Sequence, residues 1–293
     1  MGLLDGKVAL VTGAGGGLGR GHAKLLAHEG AAVVVNDLGG ARDGSGRGSS
    51  SMADAVVKEI VDAGGRAVAD YGSVSNRDDA QRMVKTAVDH FGKLDICINN
   101  AGILRDKSFK NMTDENWDIV VDVHLRGTYL VTKAAYDQML LQGAGGRIVM
   151  TSSTSGLLGN FGQTNYGAAK AGIAGFMRCL APEGAKYGIT VNLLAPAAWS
   201  RLTEDIMPAA VAEPLAPEKV SPAVVWLCTD EAAGITGRIF AVGGNKVHLL
   251  AWQHVAIAGR PNDEAPWSVA EIGRRILDSA ATWPRPVTFQ DLT

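Results

Sequence analysis

The sequence predicts an α/β fold in which helices cover both faces of one parallel β-sheet. Seven short apolar runs, rich in β-branched residues, recur along the 293 residues, and longer stretches with a helical spacing of apolar residues separate them. Short apolar runs are typical of strands that are buried on both faces, and their alternation with helices is typical of βαβ units. We therefore expect a doubly wound sheet within a single domain.

The predicted strands share an apolar run between polar segments, and they span residues 8–11, 31–35, 67–69, 94–98, 147–150, 189–193 and 238–242. The predicted helices share apolar residues on one face, and they span residues 18–29, 53–63, 78–91, 114–141, 165–187 and 221–229. Thr113 and Ser75 each precede acidic residues and offer a side-chain oxygen that caps a helix start. Gly30 and Gly64 favour the left-handed turn that ends a helix.

Two segments lie outside this alternation. Residues 38–51 are rich in Gly and Ser, which favours a mobile surface insertion over a loop that closes on a ligand. Residues 1–245 contain all the predicted strands and form the predicted domain. Residues 246–293 are predicted to be a C-terminal extension that packs on the core or on a neighbouring subunit, with one amphipathic helix at residues 267–282.

The composition argues against several classes of partner. Lys and Arg total 28 against 30 for Asp and Glu, a net charge of −2, so no broad cationic surface for nucleic acid is predicted. No apolar stretch is long enough to cross a bilayer, so we expect no membrane insertion and a cytoplasmic location. Cys97, Cys179 and Cys228 lack the spacing of a zinc site or a disulfide framework, so no metal site is predicted.

A glycine-rich turn follows the first predicted strand. The segment TGAGGGLG, residues 12–19, lies where that strand passes into a helix. Glycines let the backbone approach a pyrophosphate, and the N–H groups and dipole of the following helix favour its negative charge. Asp37 ends the second predicted strand, where a carboxylate accepts hydrogen bonds from ribose hydroxyls and repels a 2′-phosphate. The pattern favours NAD over NADP, although Arg42 or Arg47 could reverse this preference.

A second motif lies near the middle of the chain. Tyr166 and Lys170 are four positions apart on a predicted helix, so their side chains share one face, and Ser153 lies 13 residues before Tyr166. A free phenol has a pKa of about 10, and a nearby ammonium lowers that pKa towards neutrality. Tyr166 could then transfer a proton as general acid or base, although a plain surface contact would also explain the spacing by itself.

These motifs, with NNAG at residues 99–102, make the chain resemble the short-chain dehydrogenase/reductase family over residues 8–245. The resemblance implies a Rossmann-type sheet of seven parallel strands, a nicotinamide cofactor and a homodimer or homotetramer. It implies that Ser153 hydrogen-bonds the reacting oxygen of the substrate, that Tyr166 transfers the proton, and that Lys170 binds the nicotinamide ribose and tunes Tyr166. The cofactor-binding residues that it implies are Gly13, Gly17, Leu18, Gly19, Asp37, Ser73, Val74, Asn100, Ala101, Gly102, Tyr166, Lys170, Pro196, Ala198 and Ser200.

Other segments narrow the resemblance. NNAGILRDKSF, VHLRGTY and GNFGQTNYGAAK are similar to the (3R)-hydroxyacyl-CoA dehydrogenase region of the peroxisomal multifunctional enzymes of type 2, or D-bifunctional proteins. This similarity implies NAD-dependent oxidation of (3R)-3-hydroxyacyl-CoA to 3-oxoacyl-CoA during β-oxidation of fatty acids or steroid side chains. A 3-oxoacyl-(acyl-carrier-protein) reductase, a dehydrogenase of free steroids or secondary alcohols, and a non-catalytic dinucleotide sensor remain alternatives.

Three positions depart from the family pattern. His124 stands where most members have the Asn of a proton relay, and its imidazole either serves as a catalytic relay that titrates near neutral pH or is structural. Gly72 stands where an adenine-binding Asp is usual, so we expect that contact from the backbone of Ser73 and Val74. Residues 197–199 replace a smaller Asn-Ala-Gly segment and are expected to place bulk beside the nicotinamide or the substrate entrance.

Overall fold

The computed structural model describes residues 2–46, 48–198, 212–261, 264–285, 287 and 291. Its strands are β1 (Val8–Thr12), β2 (Ala32–Asn36), β3 (Arg66–Asp70), β4 (Ile96–Asn99), β5 (Gly146–Thr151), β6 (Ile189–Pro196), β7 (Ile239–Gly243) and β8 (Lys246–Leu250). They form one sheet in the order β3-β2-β1-β4-β5-β6-β7-β8. The predicted parallel sheet of seven strands is confirmed for β1 to β7, and the structure adds β8, which pairs antiparallel with β7.

The helices connect the strands and lie on both faces of the sheet. They are α1 (Gly17–His28), α2 (Ser51–Asp62), α3 (Arg77–Phe91), α4 (Asp114–Val121), α5 (Gly127–Gln142), α6 (Thr154–Leu158), α7 (Thr164–Ala185), α8 (Ser221–Trp226) and α9 (Val269–Ser279). The predicted helices correspond to these, except that α6 was not predicted because its five residues are too few for a helical pattern.

Alternate residues of each central strand point to opposite faces and enter two separate hydrophobic clusters. Val8 and Leu10 of β1 pack with α3, α5 and α7 on one face, whereas Ala9 and Val11 pack with α1, α2 and α8 on the other. Both faces of the sheet are therefore covered by apolar side chains, which explains why the strands appear in the sequence as continuous apolar runs. Buried His22 of α1 joins the second layer, where its Nδ1 lies 2.9 Å from the hydroxyl of Ser221 at the start of α8.

Local details differ from the sequence predictions at two helices. Thr113 caps α4 as predicted, because its hydroxyl accepts the Asn116 N–H, but α3 is capped by Asn76 rather than Ser75. The Asn76 side chain is the one that reaches the N–H groups of the first turn. The single helix predicted over residues 114–141 is interrupted by a π-helical turn, Asp122–Arg126, between α4 and α5.

The chain after β7 leaves the core. The predicted domain boundary after residue 245 lies in the tight turn between β7 and β8, so the residues of β8 extend the sheet. The amphipathic helix predicted at residues 267–282 is present as α9 with a short 3₁₀ turn after it, and Ser268 and Glu271 form its capping box. None of the α9 residues is buried, so packing of this helix on a neighbouring subunit stays a prediction.

Candidate active site

Ser153 and Tyr166 meet at the carboxyl end of β5. Ser153 follows that strand and caps α6, where its Oγ accepts the Ser155 N–H at 3.1 Å. The Ser153 side chain also lies close enough to the Tyr166 phenol, at the start of α7, to lower the pKa of that phenol. The two predicted residues that would hold the reacting oxygen of a substrate are therefore side by side.

Lys170 lies one turn beyond Tyr166 on the same face of α7. Its side chain is buried, and its Nζ donates to the Thr151 carbonyl oxygen at 2.6 Å. The Nζ lies 5.5 Å from the centre of the Tyr166 ring. Burial lowers the pKa of the Lys170 ammonium to about 7. The surface-contact interpretation of the YxxxK spacing is therefore wrong, because this lysine is part of the core of the site.

The charge state of Tyr166 corrects one expectation from the sequence. Burial raises the pKa of the Tyr166 phenol to about 12; the hydrogen bond from Ser153 opposes that rise and the nearby charge of Asp106 adds to it. Burial, rather than the charge of Lys170, sets the direction of this pKa shift. In this site burial keeps the phenol neutral and brings the pKa of the amine close to neutral pH.

His124 lies in the π-helical turn and packs against Tyr166. The two rings are 5.1 Å apart and meet edge to face. Its Nε2 lies 2.8 Å from the Ile103 carbonyl oxygen and 3.1 Å from the Ile103 nitrogen, while Nδ1 is buried and has no hydrogen-bond partner among the described residues. Burial, together with the charge of Lys170, holds the pKa of His124 well below its usual range. The titration near neutral pH that the sequence suggested is therefore absent, although π-turns are frequent at functional sites.

A cavity of about 490 Å³ opens at the carboxyl ends of β1, β2 and β4. This is the place where a doubly wound sheet binds a dinucleotide. Nine of the predicted cofactor residues line the cavity, and they are Gly13, Gly17, Leu18, Asp37, Ser73, Val74, Asn100, Ala101 and Gly102.

The glycine-rich turn is packed so tightly that side chains are excluded. A Cβ on Gly13, whose φ is +62°, would lie 2.7 Å from the Ala101 Cα. A Cβ on Gly19 would lie 2.6 Å from the Asn100 side chain, which donates to the Thr12 and Gly13 carbonyl oxygens. Gly19 therefore permits the close packing of the turn against Asn100, and it does not line the cavity. The cradle fits a pyrophosphate held by backbone N–H groups.

Asp37 closes the far side of this turn. Its Oδ2 accepts the Gly15 N–H at 2.8 Å, and its Oδ1 accepts the Gly39 N–H at 2.7 Å. The carboxylate is thereby fixed on the cavity wall at the end of β2, the position at which a ribose would be bound.

The loop after β2 borders the cavity; most of its described residues are exposed, so its surface position agrees with the sequence prediction and its mobility stays a prediction. Leu38, Ala41 and Gly44 line the cavity. The Arg42 carbonyl oxygen accepts the Leu104 N–H at 3.1 Å, and the Asp43 carbonyl oxygen accepts the Arg105 Nε–H at 2.8 Å. These hydrogen bonds anchor the loop across the cavity mouth. Arg47 lies outside the described residues.

The predicted residues on the nicotinamide side are spread beyond the cavity. Pro196 ends β6, and Ala198 is buried just after it. Neither they nor Tyr166 and Lys170 line the cavity described above. Ser200, and Trp199 within the altered segment 197–199, lie outside the described residues.

The environment of Gly72 supports the backbone contact expected at the adenine end. Gly72, Ser73 and Val74 line the cavity together. The Ser73 N–H donates to the Asp79 carboxylate at 2.9 Å, and the Asp70 carboxylate accepts the Gly72 N–H at 2.8 Å. The segment is thus held in place by two acidic side chains.

Sequence reasoning missed a polar network behind Tyr166. Asn165 is fully buried; its Nδ2 donates to the Arg105 and Asn116 carbonyl oxygens at 3.0 and 2.9 Å, and its Oδ1 accepts the Tyr166 N–H at 2.8 Å. These contacts tie the start of α7 to the segment after β4 and to α4. Asparagine occurs so often at helix starts that its type alone gave no signal.

A second pair extends this network. The Gln163 Nε2 donates to the Asp106 Oδ2 at 2.7 Å, whereas the Asp106 Oδ1 is buried without a hydrogen-bond partner among the described residues. Burial raises the pKa of the Asp106 carboxyl. A carboxyl group thus lies close enough to influence the proton of Tyr166.

Two classes of site are not found in the described part of the chain. No cluster of three or more His, Cys, Asp or Glu side chains there could hold a metal ion. No helix in the same residues is long and apolar enough to span a membrane.

Comparison with known proteins agrees with this geometry. Residues 7–205 match the family model described as short chain dehydrogenase. A Mycobacterium tuberculosis protein named as a short-chain type dehydrogenase/reductase is 54% identical over 271 residues, which cover 92% of each chain. Peroxisomal multifunctional enzyme type 2 of Mus musculus is 49% identical over 99% of this chain, which spans 39% of the length of that enzyme.

The names of two further relatives state the substrates of those proteins. Hydroxyacyl-CoA dehydrogenase ChsB1 of Mycobacterium tuberculosis is 42% identical over 86% of this chain and 82% of its own length. A 3-oxoacyl-[acyl-carrier-protein] reductase of Synechocystis is also 42% identical, over 83% of this chain and 98% of its own length.

Solved structures share the fold. A short chain dehydrogenase from Mycobacterium avium superposes with a TM-score of 0.84 at 44% identity, and the match covers 98% of this chain and 99% of that one. A short chain dehydrogenase from Mycobacterium paratuberculosis bound to NAD gives a TM-score of 0.75 at 28% identity, over 83% of this chain and 99% of that one.

Proposed function

Because this chain belongs to the short-chain dehydrogenase/reductase family, we propose that it oxidises (3R)-3-hydroxyacyl-CoA to 3-oxoacyl-CoA with NAD. The observation that carries the proposal is the proximity of Ser153 and Tyr166 beside buried Lys170, in a chain whose cavity at the strand ends suits a dinucleotide. A relative named as a hydroxyacyl-CoA dehydrogenase supports the substrate class.

The residues of the chain have distinct tasks in this reaction. Ser153 donates a hydrogen bond that orients the 3-hydroxyl oxygen, and Tyr166, once ionised to the phenolate, takes the hydroxyl proton as the general base. A nicotinamide cofactor, when bound, would supply the acceptor for the hydride that leaves C3. Lys170, fixed by the Thr151 carbonyl, supplies a positive charge near the phenol when it is protonated. The His124 ring packs against the ring of Tyr166, and the Asn165 side chain accepts the Tyr166 backbone N–H.

Asp37 supports NAD as the preferred cofactor. Its carboxylate is held rigid by two backbone N–H groups, so a 2′-phosphate placed there would meet a fixed negative charge. A neighbouring structure is bound to NAD, which is consistent with this choice. The ratio of kcat/KM for NAD and NADP tests the preference directly.

A reductase of 3-oxoacyl thioesters on a carrier protein is the second candidate, because one relative carries that name at equal identity. The two candidates differ in thioester carrier and in cofactor. Dehydrogenases of free steroids or secondary alcohols share the same catalytic residues, and the presence of Ser153, Tyr166 and Lys170 argues against a non-catalytic sensor.

The experiment is a substrate panel read by nicotinamide absorbance. It compares (3R)- and (3S)-3-hydroxyacyl-CoA of several chain lengths with NAD and NADP, 3-oxoacyl thioesters of a carrier protein with NADPH, and free secondary alcohols. We expect oxidation of the (3R) series with NAD, and a Tyr166→Phe variant that binds cofactor with almost no turnover. Activity confined to the (3S) series or to the carrier-protein thioester would refute the proposal.

The resemblance supports a proposal for the assembly of the protein, and the apolar pattern of the sequence supports one for its location. A homodimer or homotetramer is expected from the family, and sedimentation of the purified protein tests it. The cytoplasmic location stays a prediction, which cell fractionation tests.

A further inference from the structure

We propose that Lys107, Phe109 and Lys110 bind the nucleotide part of coenzyme A at the mouth of the active site. This inference rests on the proposed function, because it concerns the part of an acyl-CoA substrate that does not react. It assigns a binding surface to residues that lie outside the catalytic group and outside the cofactor cavity.

The position of the segment is fixed by a backbone bridge. Lys107 pairs in parallel with Gln163, three residues before Tyr166. Three residues of chain span at most about 10 Å, so Lys107 begins within reach of the catalytic tyrosine. Phe109 and Lys110 follow in a 3₁₀ turn, Phe109–Asn111, none of whose residues is buried. The segment therefore extends from the reacting centre towards solvent.

The two lysines differ from every other described lysine. Neither Nζ has an acidic, carbonyl or aromatic partner within the described residues, whereas the other lysines are each engaged. The neighbouring Asp106 does not neutralise them, because its carboxylate is turned inward to Gln163. Two positive charges without a partner among the described residues are thus presented beside the site.

An aromatic surface accompanies these charges. Phe109 is 74% exposed and Phe161 is 90% exposed, and they are the two most exposed aromatic side chains in the described part of the chain. They lie on the two segments that the bridge between Lys107 and Gln163 brings together. Exposed apolar side chains grouped at a mouth mark a binding surface.

Coenzyme A has the complementary chemistry. Its diphosphate and its 3′-phosphate carry several negative charges, which lysine binds as a point charge. Its adenine offers a flat face that stacks on an aromatic ring such as Phe109. The pantetheine arm separates these groups from the thioester, so they must be bound at the mouth while C3 lies at Tyr166.

The test compares two thioesters of one 3-hydroxyacyl chain, coenzyme A and N-acetylcysteamine, which lacks the nucleotide. The enzyme variants are Lys107→Gln/Lys110→Gln and Phe109→Ala. A matched control, Lys58→Gln/Lys85→Gln, removes two exposed lysines from α2 and α3. We expect each mouth variant to raise KM for the CoA thioester about tenfold, with kcat and the N-acetylcysteamine KM unchanged and with a weaker salt dependence of KM in the lysine variant.

The outcomes separate this inference from the proposed function. A wild-type enzyme that oxidises neither thioester refutes the proposed function itself. A wild-type enzyme that oxidises both with the same KM, or mouth variants that behave as the control, overturns the coenzyme A site alone. A carrier-protein thioester is tested in parallel, and a larger effect of the variants on its KM than on that of the CoA thioester also overturns the assignment.

Discussion

Gly102 and His124 form a contact that a double-mutant cycle tests sharply. Gly102 lines the cofactor cavity, and a Cβ added to it would overlap the His124 imidazole, with Nδ1 at 3.1 Å and Nε2 at 3.2 Å. The ring cannot yield easily, because its Nε2 is held by the Ile103 backbone and its edge meets Tyr166. We therefore expect Gly102→Ala to push the imidazole away from both partners.

The magnitude follows from these contacts. Overpacking a tight core site costs about 1–3 kcal/mol, and a lost hydrogen bond to buried backbone costs about 1–3 kcal/mol more. We expect Gly102→Ala to lower the free energy of unfolding of the cofactor-free protein by about 2–4 kcal/mol. Displacement of the ring also removes the edge support of Tyr166, so kcat should fall by about tenfold or more, which corresponds to about 1.4 kcal/mol.

The assay combines urea unfolding without cofactor with steady-state kinetics. His124→Asn shortens the side chain and opens space for the new methyl group. The added cost of Gly102→Ala should therefore shrink to within about 0.5 kcal/mol in the His124→Asn background. Gly175→Ala is the control, because a Cβ at that position in α7 meets no atom within 4 Å. An equal cost of Gly102→Ala in both backgrounds would refute the steric reasoning.

Two further predictions concern titration. Burial lowers the pKa of His22 from 6.5 to about 3. Below pH 6.5 the unfolded chain therefore takes up a proton on this histidine, whereas the folded chain keeps the histidine neutral. The stability that depends on neutral His22 is complete above pH 6.5 and is lost as the pH falls towards 3. Between pH 7 and pH 5, His22→Leu should therefore abolish about 2 kcal/mol of the decrease in unfolding free energy seen for the wild type, and an unchanged decrease would contradict this. Asp106→Asn removes the negative charge that raises the pKa of Tyr166, so that pKa should fall and the acidic limb of kcat/KM for oxidation should move to lower pH. Movement to higher pH would show that Asp106 does not act through charge.

The elements that the sequence predicted best are those whose pattern follows from burial on both faces. The strands from β1 to β7 lie within a few residues of their predicted bounds, because a parallel strand inside a layered sheet needs apolar residues at every position. β8 was missed because KVHLL mixes polar and apolar residues, as a strand at the sheet edge can. The π-turn at Asp122–Arg126 leaves no pattern distinct from a continuous helix.

The candidate site likewise contains residues that the sequence predicted and residues that it did not. Glycines, Asp37 and the YxxxK pair were predicted because they occur together, in the order and the strand and helix context of a known family pattern. Asn165 and Asp106 were missed because their partners lie on segments that only the tertiary fold brings together. The raised pKa of Tyr166 was missed for the same reason, since it depends on burial and on a carboxylate 60 positions earlier in the chain.

The shifted pKa values of Tyr166 and Lys170 bear on how the proposed reaction is driven. Desolvation penalises either charge in this site, so a phenolate at Tyr166 requires a positive charge close by. Under the proposed function, two groups could supply it: the Lys170 ammonium and an oxidised nicotinamide. Tyr166 would be the stronger acid while the nicotinamide is positive and the weaker acid once the hydride has neutralised it. Its affinity for the substrate proton would therefore rise as the hydride leaves C3, which couples the two transfers through the low polarity of the site.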